Sequence, residues 1–305
     1  MTGSRDQTST AVPPPTSGPA PTGVAGPVPS ALSVLSALRV PFRGDPLGRL
    51  GLALLVLLLA LGILHPLLPL GDPSASVGPR VAGPSASFLL GTDELGRSLL
   101  PRVASAIGVT IVLSTVAVLV ATVIGVALGC LAAYSPRWVD QLVSRFSDVL
   151  YSFPTILIAV LISVVVGSGR TTAVVAIVVV TLPTIIRVAR VEALRIVELD
   201  FVTSAEVAGA RLGRVTVFHL LPNMREAVIV QATYSISLGM LVEGGISFLG
   251  LGVQQPDTSL GALLGAGRTY LTVTPSYVLI PGLVLGLAVL AFNLVGDSLR
   301  TERST

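Results

Sequence analysis

Lysine is absent from this 305-residue sequence, so all 19 basic residues are arginines. A P-loop places a lysine on nucleotide phosphates, and protein kinases and Schiff-base enzymes also need a lysine amine. The chain supplies none of these sites, so any ATP chemistry it depends on belongs to another polypeptide. Charge of either sign is scarce: 11% of residues are charged, against about a quarter in an ordinary soluble domain. A single cysteine, Cys130, excludes an internal disulfide. The two histidines, His65 and His219, form no recognisable zinc spacing with it. No metal site and no catalytic constellation is expected. The net charge of +3 comes with no basic tract and no aromatic-basic interleaving, which removes nucleic acid as a partner. What remains is apolar: 52% of residues are hydrophobic and the mean hydropathy is +0.86, which together define an integral membrane chain.

The first 30 residues mix seven prolines with Ser, Thr, Gly and Ala and bury too little apolar surface to order themselves. With residues 31–48, broken by Arg39, Pro41, Arg43, Asp45 and Pro46, they read as a disordered cytoplasmic tail and an interfacial approach. The first long apolar run begins only near Leu50, too late for the apolar region of a signal peptide.

A helix rises about 1.5 Å per residue, so crossing about 30 Å of hydrocarbon takes roughly 20 apolar residues. Six runs qualify: 50–70, 103–136, 149–169, 171–186, 227–247 and 269–296. The fourth is short. Either Arg187 snorkels to bring it to span length, or residues 154–183 form a re-entrant hairpin. With the N-terminus inside, fourteen of the nineteen arginines fall in inner segments, as the positive-inside rule requires, while acids show no opposing bias. The expected organisation is a first span at 49–70, an extracytoplasmic loop at 71–101, a five-helix core at 102–297 containing an inner loop at 187–225, and a cytoplasmic tail at 298–305.

That inner loop contains FVTSAEVAGARLGRVTVFHLLP, residues 201–222. It is too polar to enter lipid, yet Phe201, Ala205, Ala208 and Leu212 recur at helical spacing. A short amphipathic helix is expected, with small residues at Ser204, Ala205, Ala208, Gly209 and Ala210 that admit a partner surface. Gly209 suits a left-handed helix end, and Pro222 the first turn of the next helix. A helix offered to a groove is a known recognition mode; the plain alternative is a solvated connector.

These residues resemble the "EAA" loop of ABC importer permeases. Thr203-Ser204-Ala205 occupies the triplet, Gly209 the glycine, and Leu221-Pro222 the end at the expected spacing. The sequence departs in two places: Thr203 stands where the triplet has its acid, for which Glu206 is a candidate substitute, and His219 stands at the last apolar position. The stretch from His219 to Asn223 is nonetheless typical of the dipeptide/oligopeptide branch. Three further motifs are similar to that branch, and to the second of its two permease subunits. LGTDELGR at residues 90–97, with Asp93, Gly96 and Arg97, precedes the second span. SFLGLGV at residues 247–253, with Ser247, Phe248, Gly250 and Gly252, follows the fifth. AFNLVGDSLR at residues 291–300, with Asn293 and Asp297, closes the chain.

The resemblance implies an all-α polytopic membrane protein with six transmembrane helices, type I ABC importer permease-like, with both termini cytoplasmic in a bacterial inner membrane. It implies a second permease subunit, two ATPase subunits that use ATP and Mg²⁺, and an extracytoplasmic solute-binding protein. Thr203, Ser204, Ala205, Glu206, Gly209, Leu221 and Pro222 would then form the ATPase-coupling loop. The substrate class implied is dipeptides or oligopeptides.

Glu243, near the outer end of the fifth span, is costly in lipid and should face protein or water. It is a candidate for a gate or the translocation path, or equally for a structural hydrogen bond to a neighbouring helix. Asp93 and Arg97, four residues apart, read as a helix-surface ion pair more readily than as a partner contact. The rival function is an ion-gradient-driven secondary transporter, which would want ionisable groups near mid-membrane where these spans offer only Glu243. A membrane-embedded enzyme would need paired catalytic groups at membrane depth, and no span supplies them.

Overall fold

In the computed structural model, residues 45–210 and 212–302 are described, apart from the side chains of Glu206, Leu212 and Glu302. The expected tail and most of the interfacial approach lie outside them, as do the last three residues. The described residues are mostly helical, with no strand among them beyond two isolated antiparallel bridges, Ser76 with Arg97 and Thr92 with Ser98.

Helix α1 (Pro46–Leu64) starts three residues before the expected first span because Asp45 and Pro46, which break up the approach, are also a helix start. The Asp45 carboxylate accepts the Leu47 N–H at 3.0 Å, and proline at the first helical position has no N–H to leave unpaired. A 3₁₀ turn, His65–Leu67, ends the run. Helix α2 (Leu99–Tyr134) is 36 residues long. Helix α5 (Arg170–Val197), with Pro183 inside it, settles the expected fourth span as a continuous helix of 28 residues rather than one arm of a hairpin ending at Pro183. After the apolar run that follows Arg170 comes Arg187, whose guanidinium reaches Asp148 and lies 4.5 Å from the Tyr151 ring centroid. Helix α8 (Leu221–Phe248) and helix α10 (Ser276–Glu302) supply the remaining long spans.

The third expected span is corrected. Residues 149–169 do not form one helix: helix α3 (Arg137–Ser152) and helix α4 (Thr155–Val166) meet at an angle of 95° across Phe153 and Pro154. Proline disfavours helical geometry at the residue before it and has no N–H to continue the ladder, so the apolar run turns where Pro154 stands. Among the described residues five helices are individually long and apolar enough to cross a membrane, and the bent pair makes a sixth crossing if counted as one.

Helix α2 contributes to each of the four buried clusters among the described residues and organises the bundle. Its N-terminal third packs with α1, α8, α10 and the short helix α9 (Leu260–Gly267) through Leu99, Val103 and Ile107. Its middle meets α4, α5 and α8 around Ala117 and Val118. Its inner end meets α5 and the start of α8 around Cys130, Ala189 and Met224. Contact with α5 is close because Gly129 has no side chain: a Cβ there would lie 2.6 Å from that of Ala189. Large apolar residues on the outer faces, among them Val123, Val165 and Leu283, are exposed, as lipid-facing surfaces are.

Candidate functional site

The inner loop folds as two short helices and a widened turn. Helix α6 (Asp200–Val207) follows α5 after a two-residue link, helix α7 (Leu212–Val215) follows α6, and a π-helical turn, Thr216–Leu220, leads directly into α8. Gly209 ends α6 with φ +87°, and the Ala210 N–H returns to the Ala205 carbonyl at 3.0 Å. That is the bond of a Schellman-type helix end, in which the left-handed residue is readily glycine. Pro222 has no N–H for a helical bond, and its ring would crowd the carbonyl four residues earlier. The preceding turn opens to π spacing, with the Leu221 N–H on the Thr216 carbonyl. The helical path into α8 thus begins before Pro222, earlier than the sequence suggests.

The apolar face of α6 also differs from expectation. Phe201 was expected on the buried stripe, but it is 41% exposed, with its ring 5.9 Å from that of His219. Its neighbour Val202 is fully buried instead, with Ala193, Ile196, Val215, Leu220 and Met224. The first turn after a two-residue link is oriented by tertiary contact with α5, which an internal period does not contain. Around this anchor Thr203, Ser204, Ala208 and Gly209 are exposed, Ala205 is half-buried and Val207 is 85% exposed. Ser204 spends its hydroxyl on the Asp200 carbonyl at 2.8 Å. Leu221 and Pro222 are exposed at the base of α8, and the Glu206 side chain lies outside the described residues. The result is a small-residue knob held by one buried valine.

A second polar constellation lies at the other end of the bundle. Glu243 of α8 is fully buried, accepting from the Ser247 hydroxyl at 2.6 Å and the Thr110 hydroxyl of α2 at 3.2 Å. Thr110 in turn accepts the Leu260 N–H of α9 at 3.1 Å, and Ser247 accepts the Val253 N–H at 3.1 Å. Through two hydroxyls one carboxylate therefore ties α2, α8, α9 and the SFLGLGV turn together. In that turn Gly250 has φ +80° and Phe248 is exposed, whereas Gly252 is buried against Ser247. A Cβ on Gly261 would lie 2.6 Å from the Gly244 Cα, so α9 rests directly on the α8 backbone.

Asp93 and Arg97 are not on a helix surface. They sit in a folded turn of the outer loop, where Gly96 has φ +77° and the chain doubles back to bridge Thr92 with Ser98. Asp93 is fully buried. One carboxylate oxygen accepts the N–H groups of Leu95 and Arg97, each at 2.8 Å. The other accepts Arg97 Nε at 2.5 Å and Arg102 Nη1 of α2. Burial alone would raise its pKa; the Arg97 N–H and guanidinium, the Arg102 charge and the Leu95 N–H outweigh that and hold it below the usual carboxylate value. Glu94 accepts from the Tyr277 hydroxyl of α10. Arg102 and Tyr277 passed unnoticed in sequence: the one carries no local motif, and the other is 183 residues from its partner. Of the closing motif, Asn293 is half-buried, and Asp297 accepts from the Tyr234 hydroxyl of α8 at 2.5 Å.

A lysine-free helical bundle with several apolar spans, an exposed short-helix knob at one end and a polar turn cluster at the other is a multi-pass membrane protein of the permease type. Its fold is similar to that of a chain in a structure titled "Inward facing conformations of the MetNI methionine ABC transporter", with a TM-score of 0.54 at 20% identity, covering 68% of this chain and 97% of that one. Residues 125–301 match the family described as "Binding-protein-dependent transport system inner membrane component", and the chain belongs to that family. Among its relatives are the dipeptide transport system permease DppC of Alkalihalophilus pseudofirmus, 34% identical over 85% of each chain, and the di/tripeptide permease DppC of Pseudomonas aeruginosa, 39% identical over 72% of each. A glutathione transport system permease, GsiD of Pectobacterium atrosepticum, is 35% identical over 72% of this chain.

Proposed function

We propose that this chain is one of two permease subunits of an ABC importer for dipeptides or oligopeptides in a bacterial inner membrane, contributing half of the translocation pathway. The observation that carries the reading is the α6 knob: exposed Thr203, Ser204, Val207, Ala208 and Gly209 project from a single buried anchor, next to a helix that spans the bundle. A surface of small residues on a short helix fits a groove on an ATPase subunit and transmits movement of that subunit to α5 and α8 through Val202, Val215 and Leu220. ATP and Mg²⁺ belong to the ATPase partners, and a solute-binding protein delivers substrate to the opposite face. The arginine distribution supports a cytoplasmic position for both termini and the knob. Peptides are favoured as substrate by the names of the relatives just given.

Gly209→Asp tests this. The position is exposed with open space around it, so the side chain meets no part of the bundle and the backbone strain at φ +87° is confined to the end of α6, while added bulk and negative charge obstruct docking. The expected outcome is normal membrane insertion with peptide uptake lost and the ATPase subunits no longer copurifying. Uptake at the wild-type rate would overturn the assignment. Transport by the chain alone in proteoliposomes, driven by an ion gradient, would establish the secondary-transporter alternative.

A further inference from the structure

Helix α3 carries two apolar stripes, and the fold uses only one. Val139 and Val143 pack on Ala132, Leu182 and Ile186, and Asp140 and Asp148 pair with Arg190 and Arg187 of α5. The other stripe, Trp138, Leu142, Phe146 and Val149, is exposed; Trp138 is 67% so and is the only tryptophan of the chain. Trp138, Gln141, Leu142 and Arg145 line a shallow groove of about 390 Å³ on this side. Arg137 and Arg145 are exposed, and neither pairs with a carboxylate among the described residues, in contrast to Arg187 and Arg190.

Two independent features fix the depth of α3. It is clamped to the turn of α5 that carries Arg187 and Arg190, where the apolar run ending at Ile186 gives way to charge. It also lies at 95° to the uncharged, largely apolar α4, whose Leu157, Leu161, Val164 and Val165 are exposed as a lipid-facing surface is. A helix perpendicular to a membrane-embedded one, at the level where charge begins, lies in the plane of the bilayer boundary. There an apolar stripe with basic residues beside it enters the acyl region, and its cations meet headgroups.

We propose that α3 is an interfacial anchor: its Trp138-Leu142-Phe146-Val149 stripe is seated among acyl chains, and Arg137 and Arg145 bind the phosphate of anionic phospholipids. The occupant is anionic lipid because the unpaired charge that lines the groove, Arg145, is positive and exposed Arg137 stands at the start of the same helix, whereas the acids of α3 are spent on α5. The assignment holds for either leaflet and does not depend on the substrate. It also gives leaflet charge a route to the coupling knob, through the Asp140–Arg190 and Asp148–Arg187 pairs and along α5 into α6.

The test uses the assembled transporter in lipid nanodiscs, where the difference between wild type and Trp138→Phe isolates the emission of Trp138 from that of other subunits. Phosphatidylglycerol or phosphatidylcholine is brominated near the carbonyl end of its chains, in discs otherwise of equal composition. Blue-shifted Trp138 emission is expected, quenched more by brominated phosphatidylglycerol, with local enrichment of roughly five-fold per arginine. In the Arg137→Gln/Arg145→Gln variant, brominated phosphatidylglycerol should quench no more than the neutral lipid, while quenching itself persists. Equal quenching by the two lipids in the wild-type protein overturns the headgroup assignment. Quenching by neither overturns the proposal, since the stripe is then covered by a protein partner or faces water; both outcomes are read without any arginine variant.

Discussion

Asp93 is the most committed single residue in the molecule, with four donors on its two oxygens and no exposure to solvent. Asp93→Asn removes the charge that compensates Arg97 and Arg102, and breaking a buried pair from one side costs about 3–5 kcal/mol. The variant is expected to loosen the outer loop, seen as faster amide exchange at residues 76–98 and as proteolysis there, with the bundle intact. The sign of its pH dependence follows from a folded pKa below the unfolded one. The stabilisation is complete above the unfolded carboxylate value of about 3.9 and is lost as pH falls through the lower folded value. Loop protection should therefore persist from neutral pH to about pH 4 and fail only below it; failure between pH 5 and 7 would contradict this. Glu243 differs, because its partners are hydroxyls. Glu243→Gln retains a side chain of the same shape that still accepts one hydroxyl. Glu243→Ala strands buried Thr110 and Ser247 and should cost about 1–3 kcal/mol, measurable as a lower melting midpoint in detergent.

Among the elements, the α2–α5 crossing depends on the smallness of Gly129. Gly129→Val places a branched side chain where a Cβ alone would lie 2.8 Å from the Arg190 backbone nitrogen. Overpacking of this kind costs about 1–3 kcal/mol and should lower the melting midpoint, while Val123→Leu on the exposed face of the same helix should not. Helix α6 fails differently. At eight residues it is too short to be stable alone, so its position rests on burial of Val202. Val202→Ala should leave the spans intact and reduce ATP-coupled uptake by releasing the knob from α5 and α8.

For the whole molecule, the expected topology can be checked with the one native thiol as background. Cys130 is buried and should stay unreactive toward a membrane-impermeant maleimide in intact cells. Ser204→Cys should react only when the cytoplasmic face is opened, and its reaction should slow when the ATPase subunits are bound. Ser85→Cys in the outer loop should react from outside. The reverse pattern would invert the orientation.

The sequence by itself determined the membrane class and the apolar runs, because hydropathy and run length are properties of the sequence alone. The end of α6 at Gly209 was likewise legible, since a left-handed position has few alternatives to glycine. Local pattern did not reveal that the third run turns through 95° at Pro154, that Val202 rather than Phe201 anchors the knob, or that Asp93 lies in a buried turn held by Arg102. Nor did it show that Glu243 meets α9 through Thr110, 133 residues away. Tertiary structure decided these because each depends on a surface contributed by another element. A period of 3.6 says which residues share a face but not what that face will meet.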